Sequence, residues 1–134
     1  MKKINHFING KEYISKSDRF GDIFNPASGE KIGSVSFANK DDVALAIQNA
    51  SDAQKKWAAT PPLARSRVMF KFKELILRDM DKLALELTNE HGKILSDSVG
   101  SLTRGMEVVE FACGIPHLLK GEFSENVGTE IDSW

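Results

Sequence analysis

Residues 39–57 read NKDDVALAIQNASDAQKKW and mark the point where strand chemistry gives way to helix chemistry. Asn39 is a good N-cap, and Asp41 and Asp42 suit the positive end of a helix dipole. The apolar residues that follow recur at helical spacing and form one stripe: Val43, Ala46, Ile47, Ala50, Ala53 and Trp57. The stretch therefore predicts a first helix with one apolar face.

Two more helices are predicted directly after it. Thr60-Pro61-Pro62 breaks the first helix and starts the second, since proline is tolerated in a first turn. A third helix opens at Asp79 or Asp81, and Gly92 is a natural stop for it. The residues expected to face a shared core are Val68, Met69, Phe72, Leu75 and Ile76 in the second helix, and Leu83, Ala84 and Leu87 in the third.

A fourth helical stretch is predicted from Ser96 to about Lys120, and Pro116 should kink or end it. Its apolar face is Leu102, Met106, Val109, Ala112 and Cys113. Three glycines, at positions 100, 105 and 114, each weaken this helix by roughly 1 kcal/mol relative to alanine. Because such glycines tend to mark close backbone approach, we expect the helix to pack tightly against another element.

The first 36 residues have strand and turn chemistry instead. Phe7-Ile8 and Tyr13-Ile14 flank Asn9-Gly10, a pair that tolerates the positive φ angles of a type I′ turn. A second turn cluster, Asn25–Glu30, lies between Ile23-Phe24 and a short apolar alternation. The chain is thus predicted to be α+β, with short amino-terminal β-hairpins followed by about four packed helices.

Charge and hydropathy exclude several classes of function. The net charge is −1, from 18 Lys and Arg against 19 Asp and Glu, which leaves no electrostatic footprint for nucleic acid or an anionic membrane. No run of about 18 apolar residues exists, so no membrane span is expected. The single cysteine, Cys113, excludes an intramolecular disulfide and favours a reducing, cytoplasmic setting.

Signals for metal, phosphate and nucleophile chemistry are weak. Gly92-Lys93 lacks the upstream glycine loop that would make its lysine a phosphate ligand. His6, His91 and His117 are isolated, without the paired spacing of a metal site. No histidine or lysine is clearly placed in sequence to lower the pKa of Cys113, so this thiol is interpreted as core packing.

Arg104 is the charge that allows two interpretations. It could form a surface ion pair with Glu107, three residues further along the helix. Alternatively its guanidinium could be directed at an anionic ligand, since its fork of donors matches a carboxylate.

Several short motifs, in order along the chain, resemble the aldehyde dehydrogenase superfamily. They are Phe7-Ile8-Asn9-Gly10, Asn25-Pro26-Ala27-Ser28-Gly29-Glu30, Trp57 followed by Pro61 and Arg65, and Glu90-His91-Gly92-Lys93. Residues 103–114 (TRGMEVVEFACG), 116–122 (PHLLKGE) and 131–134 (IDSW) resemble the CoA-acylating methylmalonate-semialdehyde dehydrogenases in particular. The resemblance covers essentially the whole chain.

That family oxidises malonate or methylmalonate semialdehyde with NAD and releases acetyl-CoA or propionyl-CoA, with loss of CO₂. The resemblance implies that Arg104 matches a family arginine that binds the substrate carboxylate. The sequence departs from the family pattern at one place near Arg104. The family usually has Gly-Glu where this chain has Gly100-Ser101, so the helix surface next to Arg104 is expected to differ.

The resemblance also implies that the catalytic cysteine, the oxyanion asparagine, the Rossmann-type cofactor segment and the oligomerisation strand lie downstream. Residues 1–120 would be the amino-terminal helical and strand part of the cofactor domain, and residues 121–134 the truncated start of the oligomerisation (bridging) segment. The chain alone would then hold no catalytic, metal or cofactor residue and would be inactive. NAD and CoA would belong to the full-length family.

Two further hypotheses remain open. The chain could be a non-enzymatic helical module that self-associates or binds a partner through exposed apolar patches. It could also be a proteolytic product, or part of a longer coding region.

Overall fold

The computed structural model describes residues 2–134, apart from the side chains at positions 124, 125 and 127. Its amino-terminal part holds five short strands. They are β1 (Lys2–Ile4), β2 (His6–Ile8), β3 (Lys11–Tyr13), β4 (Phe20–Phe24) and β5 (Lys31–Ser36). The helices that follow are α1 (Lys40–Ala59), α2 (Pro62–Arg78), α3 (Met80–His91), α4 (Leu95–Cys113) and the short α5 (Ile115–Leu118). A last hairpin consists of β6 (Ser124–Gly128) and β7 (Ile131–Ser133).

Both predicted amino-terminal hairpins are confirmed. β2 pairs antiparallel with β3 around Asn9 and Gly10, whose φ angles of 55° and 72° are those that a type I′ turn requires. β4 pairs antiparallel with β5 across the Asn25 turn, in which the Asn25 side chain accepts a hydrogen bond from the Ala27 backbone N–H at 2.9 Å.

The sequence did not predict the strand that completes the sheet. β1 joins β5 in parallel, which gives a three-stranded sheet in the order β1-β5-β4. The contact depends on Gly33, because a Cβ added there would lie 2.6 Å from the Lys2 carbonyl oxygen. Strand pairing between residues so far apart in sequence leaves no local pattern from which it could be read.

Helix boundaries agree with the predictions except at the carboxyl end. Gly92 ends α3 with a φ of 81°, as expected of a left-handed cap. The predicted fourth helix is two helices, since α4 ends at Cys113 and α5 begins at Ile115, one residue before Pro116. The segment after Gly121, which carries little sequence pattern, nevertheless forms the β6–β7 hairpin.

The core of the described chain lies where α4 packs against α2 and α3. Ala84, Met106 and Cys113 are buried there, and all three were predicted to face a core. Other predicted core residues are not buried: Val68 is 52% exposed, Phe72 48% and Leu83 38%. α2 instead turns the face that carries the buried Ser66 toward α4, which leaves Val68 and Phe72 on its outer side.

The apolar stripe of α1 is exposed as well. Val43, Ile47 and Trp57 keep 49%, 65% and 42% of their surface accessible, because α1 makes no extensive contact with another described element. The chain exposes 10511 Å², whereas a compact monomer of its mass exposes about 7,000 Å². α4 does pack against other elements as expected, on α2 and α3. Gly105 does not mark that contact, since a Cβ added there would meet nothing within 4 Å.

One buried carboxylate joins the strands to α1. Asp42 is 2% exposed and completes the predicted cap, in which the Asn39 side chain accepts from the Asp42 N–H and Asp42 accepts from the Asn39 N–H. It also accepts hydrogen bonds from the Tyr13 hydroxyl at 2.9 Å and the Ser15 hydroxyl at 2.5 Å. The Ser15 hydrogen bond is the largest of the contacts that lower the pKa of Asp42, and burial opposes them.

Replacing Asp42 with Asn is expected to lower the urea midpoint and to reduce its dependence on acid pH. Because the folded-state pKa of Asp42 is lowered, its stabilisation is present above about pH 4 and is lost as the pH falls through that lowered pKa. Asp41→Asn, at the exposed neighbouring position, should keep the wild-type pH profile. Identical acid profiles for wild type and Asp42→Asn would contradict this role.

Candidate functional site

Four polar side chains line one edge of α4 and form what we call the α4 polar ridge: Lys93, Asp97, Ser101 and Arg104. The last three lie four and three residues apart and so share one helix face. Lys93 comes from the α3–α4 connection, which is fixed on both sides. On one side the connection packs closely against Pro26, because a Cβ added at Gly92 would lie 3.0 Å from the Pro26 ring. On the other side the Thr88 and Ser98 hydroxyls, 2.8 Å apart, form a hydrogen bond between α3 and α4.

Lys93 is the most buried charge of the ridge. Its side chain is 16% exposed, and its ammonium lies 3.0 Å from the Asp97 carboxylate. It also donates to the Ser101 hydroxyl at 2.5 Å. The pKa of Asp97 is lowered, first by the hydrogen bond from Lys93 and then by the Lys93 charge, with smaller effects of the same sign from Arg104 and His91. The ridge is therefore a region of positive potential with one carboxylate at its edge.

Arg104 does not form the surface pair with Glu107 that one interpretation of the sequence predicted. Its guanidinium donates to the Ser101 hydroxyl at 3.1 Å, and no carboxylate of the described side chains lies within 4 Å of it. Side chains on a helix lean toward its amino terminus, which brings the Arg104 side chain over the turn that carries Ser101. Arg104 is exposed to solvent.

Ser101 is the residue whose role the sequence did not indicate. Its hydroxyl oxygen accepts from both Lys93 and Arg104, so it holds the two cations near each other without neutralising either. A glutamate in place of Ser101 would put a negative charge between them. The spacing of Lys93 and Ser101 in sequence, eight residues apart across a turn, gave no signal of this contact.

Cys113 is buried and has a free thiol, as the core-packing interpretation predicted. It lines a recess between α2 and α5 that also holds Lys73, Glu110 and His117. Lys73 and Glu110 pair with each other at 2.6 Å. The helix packing thus brings two basic side chains nearer to Cys113 than the sequence suggested, but one of them already has a carboxylate partner.

The strand-to-helix junction of the described residues does not offer the phosphate-binding groups of a Rossmann-type site. Phosphate binding of the Rossmann type uses free N–H groups at a helix that follows a strand. Among residues 2–134 the strand-to-helix junction is that of β5 and α1, where the Asn39 and Asp42 side chains already take the cap positions. The described His, Cys, Asp and Glu side chains also form no group of three that could hold a metal ion. Within the same residues, no helix combines the length and the apolar character needed to cross a bilayer.

Comparison with known proteins identifies the class to which this arrangement belongs. Residues 13–132 match the aldehyde dehydrogenase family, and the chain belongs to that family. Within it, the chain is 42% identical over all 134 residues to the malonate-semialdehyde dehydrogenase of Pseudomonas aeruginosa. It is 41% identical over 132 residues to the mitochondrial acylating methylmalonate-semialdehyde dehydrogenase of Arabidopsis thaliana.

Solved structures support the same placement. A protein of Sinorhizobium meliloti 1021 assigned as a methylmalonate-semialdehyde dehydrogenase, crystallised with NAD, superposes with a TM-score of 0.90 at 48% identity over 98% of this chain. The methylmalonate-semialdehyde dehydrogenase of Oceanimonas doudoroffii gives a TM-score of 0.90 at 47% identity. The chain spans 27% of the length of each of these two proteins, 27% of the Pseudomonas relative and 22% of the Arabidopsis relative.

Removing the Lys93 charge is expected to raise the pKa of Asp97 toward that of a free aspartate. Lys93→Met should have the larger effect and Arg104→Gln a smaller one, in keeping with the order of their influences on the Asp97 carboxylate. The measurement is a carboxyl-detected NMR titration of each variant. Asp52, whose lowered pKa depends first on Gln48 and then on Lys55, serves as an internal reference and should not move. An unchanged Asp97 in Lys93→Met would contradict the electrostatics of the ridge.

Proposed function

We propose that this chain is the amino-terminal part of an NAD-dependent aldehyde dehydrogenase that acts on malonate or methylmalonate semialdehyde and transfers the product acyl group to CoA. Three lines support it: the family match over residues 13–132, identities of 41% and 42% to relatives named for these substrates, and the state of Arg104. Residues 1–120 would belong to the cofactor domain, and residues 121–134 would begin the bridging segment used for oligomerisation.

The observation that carries the substrate assignment is that no described carboxylate pairs with Arg104. Among the described residues its one hydrogen bond goes to a neutral hydroxyl, and no carboxylate compensates it. A guanidinium presents two parallel donors that match the two oxygens of a carboxylate. A malonate-type semialdehyde carries such a group at the end opposite its aldehyde. Arg104 would therefore hold the carboxylate and set the position of the aldehyde carbon.

Ser101 and Lys93 support this role of Arg104. The Ser101 hydroxyl orients one guanidinium nitrogen and leaves the remaining donors for substrate. Lys93 adds positive potential from the same ridge, although its own ammonium is engaged with Asp97. Both residues are positioning groups in this proposal, and neither would contact the substrate.

No chemical step is assigned to the residues of this chain. Oxidation of an aldehyde by this family needs an activated thiol, and Cys113, at 7% exposure, packs in the helical core. NAD and CoA would be bound by the remaining length of a complete enzyme. We propose that residues 1–134 alone have no dehydrogenase activity.

The substrate role of Arg104 can be tested in a chimera in which this chain replaces the matching region of the Pseudomonas aeruginosa enzyme. Arg104→Gln should raise KM for malonate semialdehyde roughly 10- to 100-fold, the equivalent of losing a charge-assisted interaction of about 1.5–3 kcal/mol. KM for propanal, which lacks the carboxylate, should change little. Arg104→Lys should also raise KM for the carboxylated aldehyde far more than for propanal, because lysine keeps the charge but loses the fork.

Arg67→Gln, on the exposed side of α2, is the matched control and should leave both KM values unchanged. The unmodified 134-residue chain, incubated with semialdehyde, NAD and CoA, should form no NADH above the blank. Equal effects of Arg104→Gln on both aldehydes would contradict the substrate assignment. Turnover by the 134-residue chain that Cys113→Ala abolishes would contradict its inactivity.

A second candidate function is a self-associating helical module, and the exposed apolar surface favours it. The chain exposes about 3,500 Å² more than a compact monomer of its mass, and that excess is the size of a large obligate interface. Ile47, 65% exposed, lies within the uncovered stripe of α1.

We expect the 134-residue chain to associate with itself as its concentration rises through the micromolar range. Light scattering should show a mass that increases with concentration, and Ile47→Lys should reduce the association by placing a charge in the stripe. Gln48→Lys, at the neighbouring exposed polar position, is the control and should associate like the wild type. A clean monomer at high micromolar concentration would exclude this function.

A further inference from the structure

Arg65 is a partly buried cation that has no acidic partner in the described chain. Its Nε is shielded from solvent and makes no hydrogen bond there, and no described carboxylate lies within 4 Å of its guanidinium. The other partly buried cations of the helical layer differ in this respect. Lys73 pairs with Glu110 at 2.6 Å, and Lys93 pairs with Asp97 at 3.0 Å. Buried charges are ordinarily paired because an unpaired one is costly to remove from water.

The surroundings of Arg65 are apolar. The side chain lies in the second turn of α2 and faces a recess of about 140 Å³ where the ends of α1, α4 and α5 meet. The recess is lined by Trp57, Pro62, Met69, Ala112, Ile115 and Leu119. Ser66 also borders it, but its hydroxyl donates to the Leu63 carbonyl of its own helix. None of the other side chains that line the recess carries an oxygen that could accept a hydrogen bond from the guanidinium.

The rim of this recess is exposed although it is apolar. Trp57 is 42% accessible, Ile115 40% and Leu119 58%. A single cation surrounded by an exposed apolar rim resembles the centre of a protein–protein interface. In such an interface the rim excludes water from the ion pair that the cation forms with its partner. A carboxylate attached to apolar groups would gain from that rim, whereas a fully hydrated ion would not.

We propose that Arg65 anchors the carboxylate of an Asp or Glu, flanked by apolar residues, from the part of the protein that follows the region described here. Three observations select this occupant. The guanidinium carries a charge that an acid would complement, the rim is apolar, and the relatives matched over 98–100% of this chain are almost four times its length. The proposal rests on the proposed function in one respect, that the chain is the amino-terminal part of a longer enzyme. It does not depend on the substrate role of Arg104, since the two arginines lie on different helices.

The test compares one substitution in two settings. In the 134-residue chain, Arg65→Gln should leave the melting temperature unchanged or raise it, because no partner is lost and an unpaired charge is removed. In the chimera with the Pseudomonas aeruginosa enzyme, the same substitution should lower the melting temperature by several degrees. It should do so without changing the ratio of KM for malonate semialdehyde to KM for propanal, which separates it from the Arg104 experiment. Arg67→Gln should have no effect in either setting.

A crystal structure of the chimera identifies the occupant directly. A carboxylate oxygen within hydrogen-bond distance of the Arg65 Nε is the expected result. A backbone carbonyl or a water in that place would overturn the assignment, and so would an equal loss of stability in both settings.

If the chimera does not fold, the 134-residue chain can be titrated with propionate and the Arg65 Nε resonance followed by NMR, with Arg65→Lys identifying the signal. A saturable shift is expected from a site selective for carboxylates. The absence of any shift would overturn the proposal.

Discussion

The described chain has more apolar surface than it can bury by itself, and this constraint governs the rest of its structure. Only where α4 packs on α2 and α3 are apolar side chains of the described residues fully enclosed, among them Ala84 and Met106. The stripe of α1 and the outer face of α2 are formed by the same helical periodicity but meet no covering element. Burial of apolar area is the main favourable term in folding. These two faces would therefore stabilise the fold only if another element covered them.

Polar contacts do much of the joining that a larger core would otherwise do. Asp42 ties the amino-terminal strands to α1 through hydroxyl donors from Tyr13 and Ser15, and the Thr88 and Ser98 hydroxyls bridge α3 and α4. Directional bonds of this kind fix the angle at which elements meet, which apolar contact alone does not. They place Lys93 beside α4 and so create the polar ridge on which the proposed substrate arginine lies.

Neither Arg104 nor Arg65 has a carboxylate partner among the described residues, but the two arginines differ in burial. Arg104 is exposed and held by a neutral serine, so its charge is available to a small anion from solvent. Arg65 is partly buried in an apolar recess, where a partner that also covers the rim would complement it. Burial is what distinguishes the proposed substrate-binding arginine from the proposed interface arginine, and sequence spacing does not encode it.

The sequence by itself determined the local structure: the Asn9-Gly10 turn, the Asn39 cap, the Gly92 stop and the family to which the motifs point. The turn, the cap and the stop each depend on neighbours within a few residues, so residue type and spacing were sufficient to predict them. The family resemblance depends on the order of short motifs along the whole chain. Only the tertiary structure decided that β1 pairs with β5, that α1 stays uncovered, and that Ser101 lies between two cations. These outcomes depend on which surfaces meet, and amphipathic periodicity shows that a helix has an apolar face without showing what will cover it.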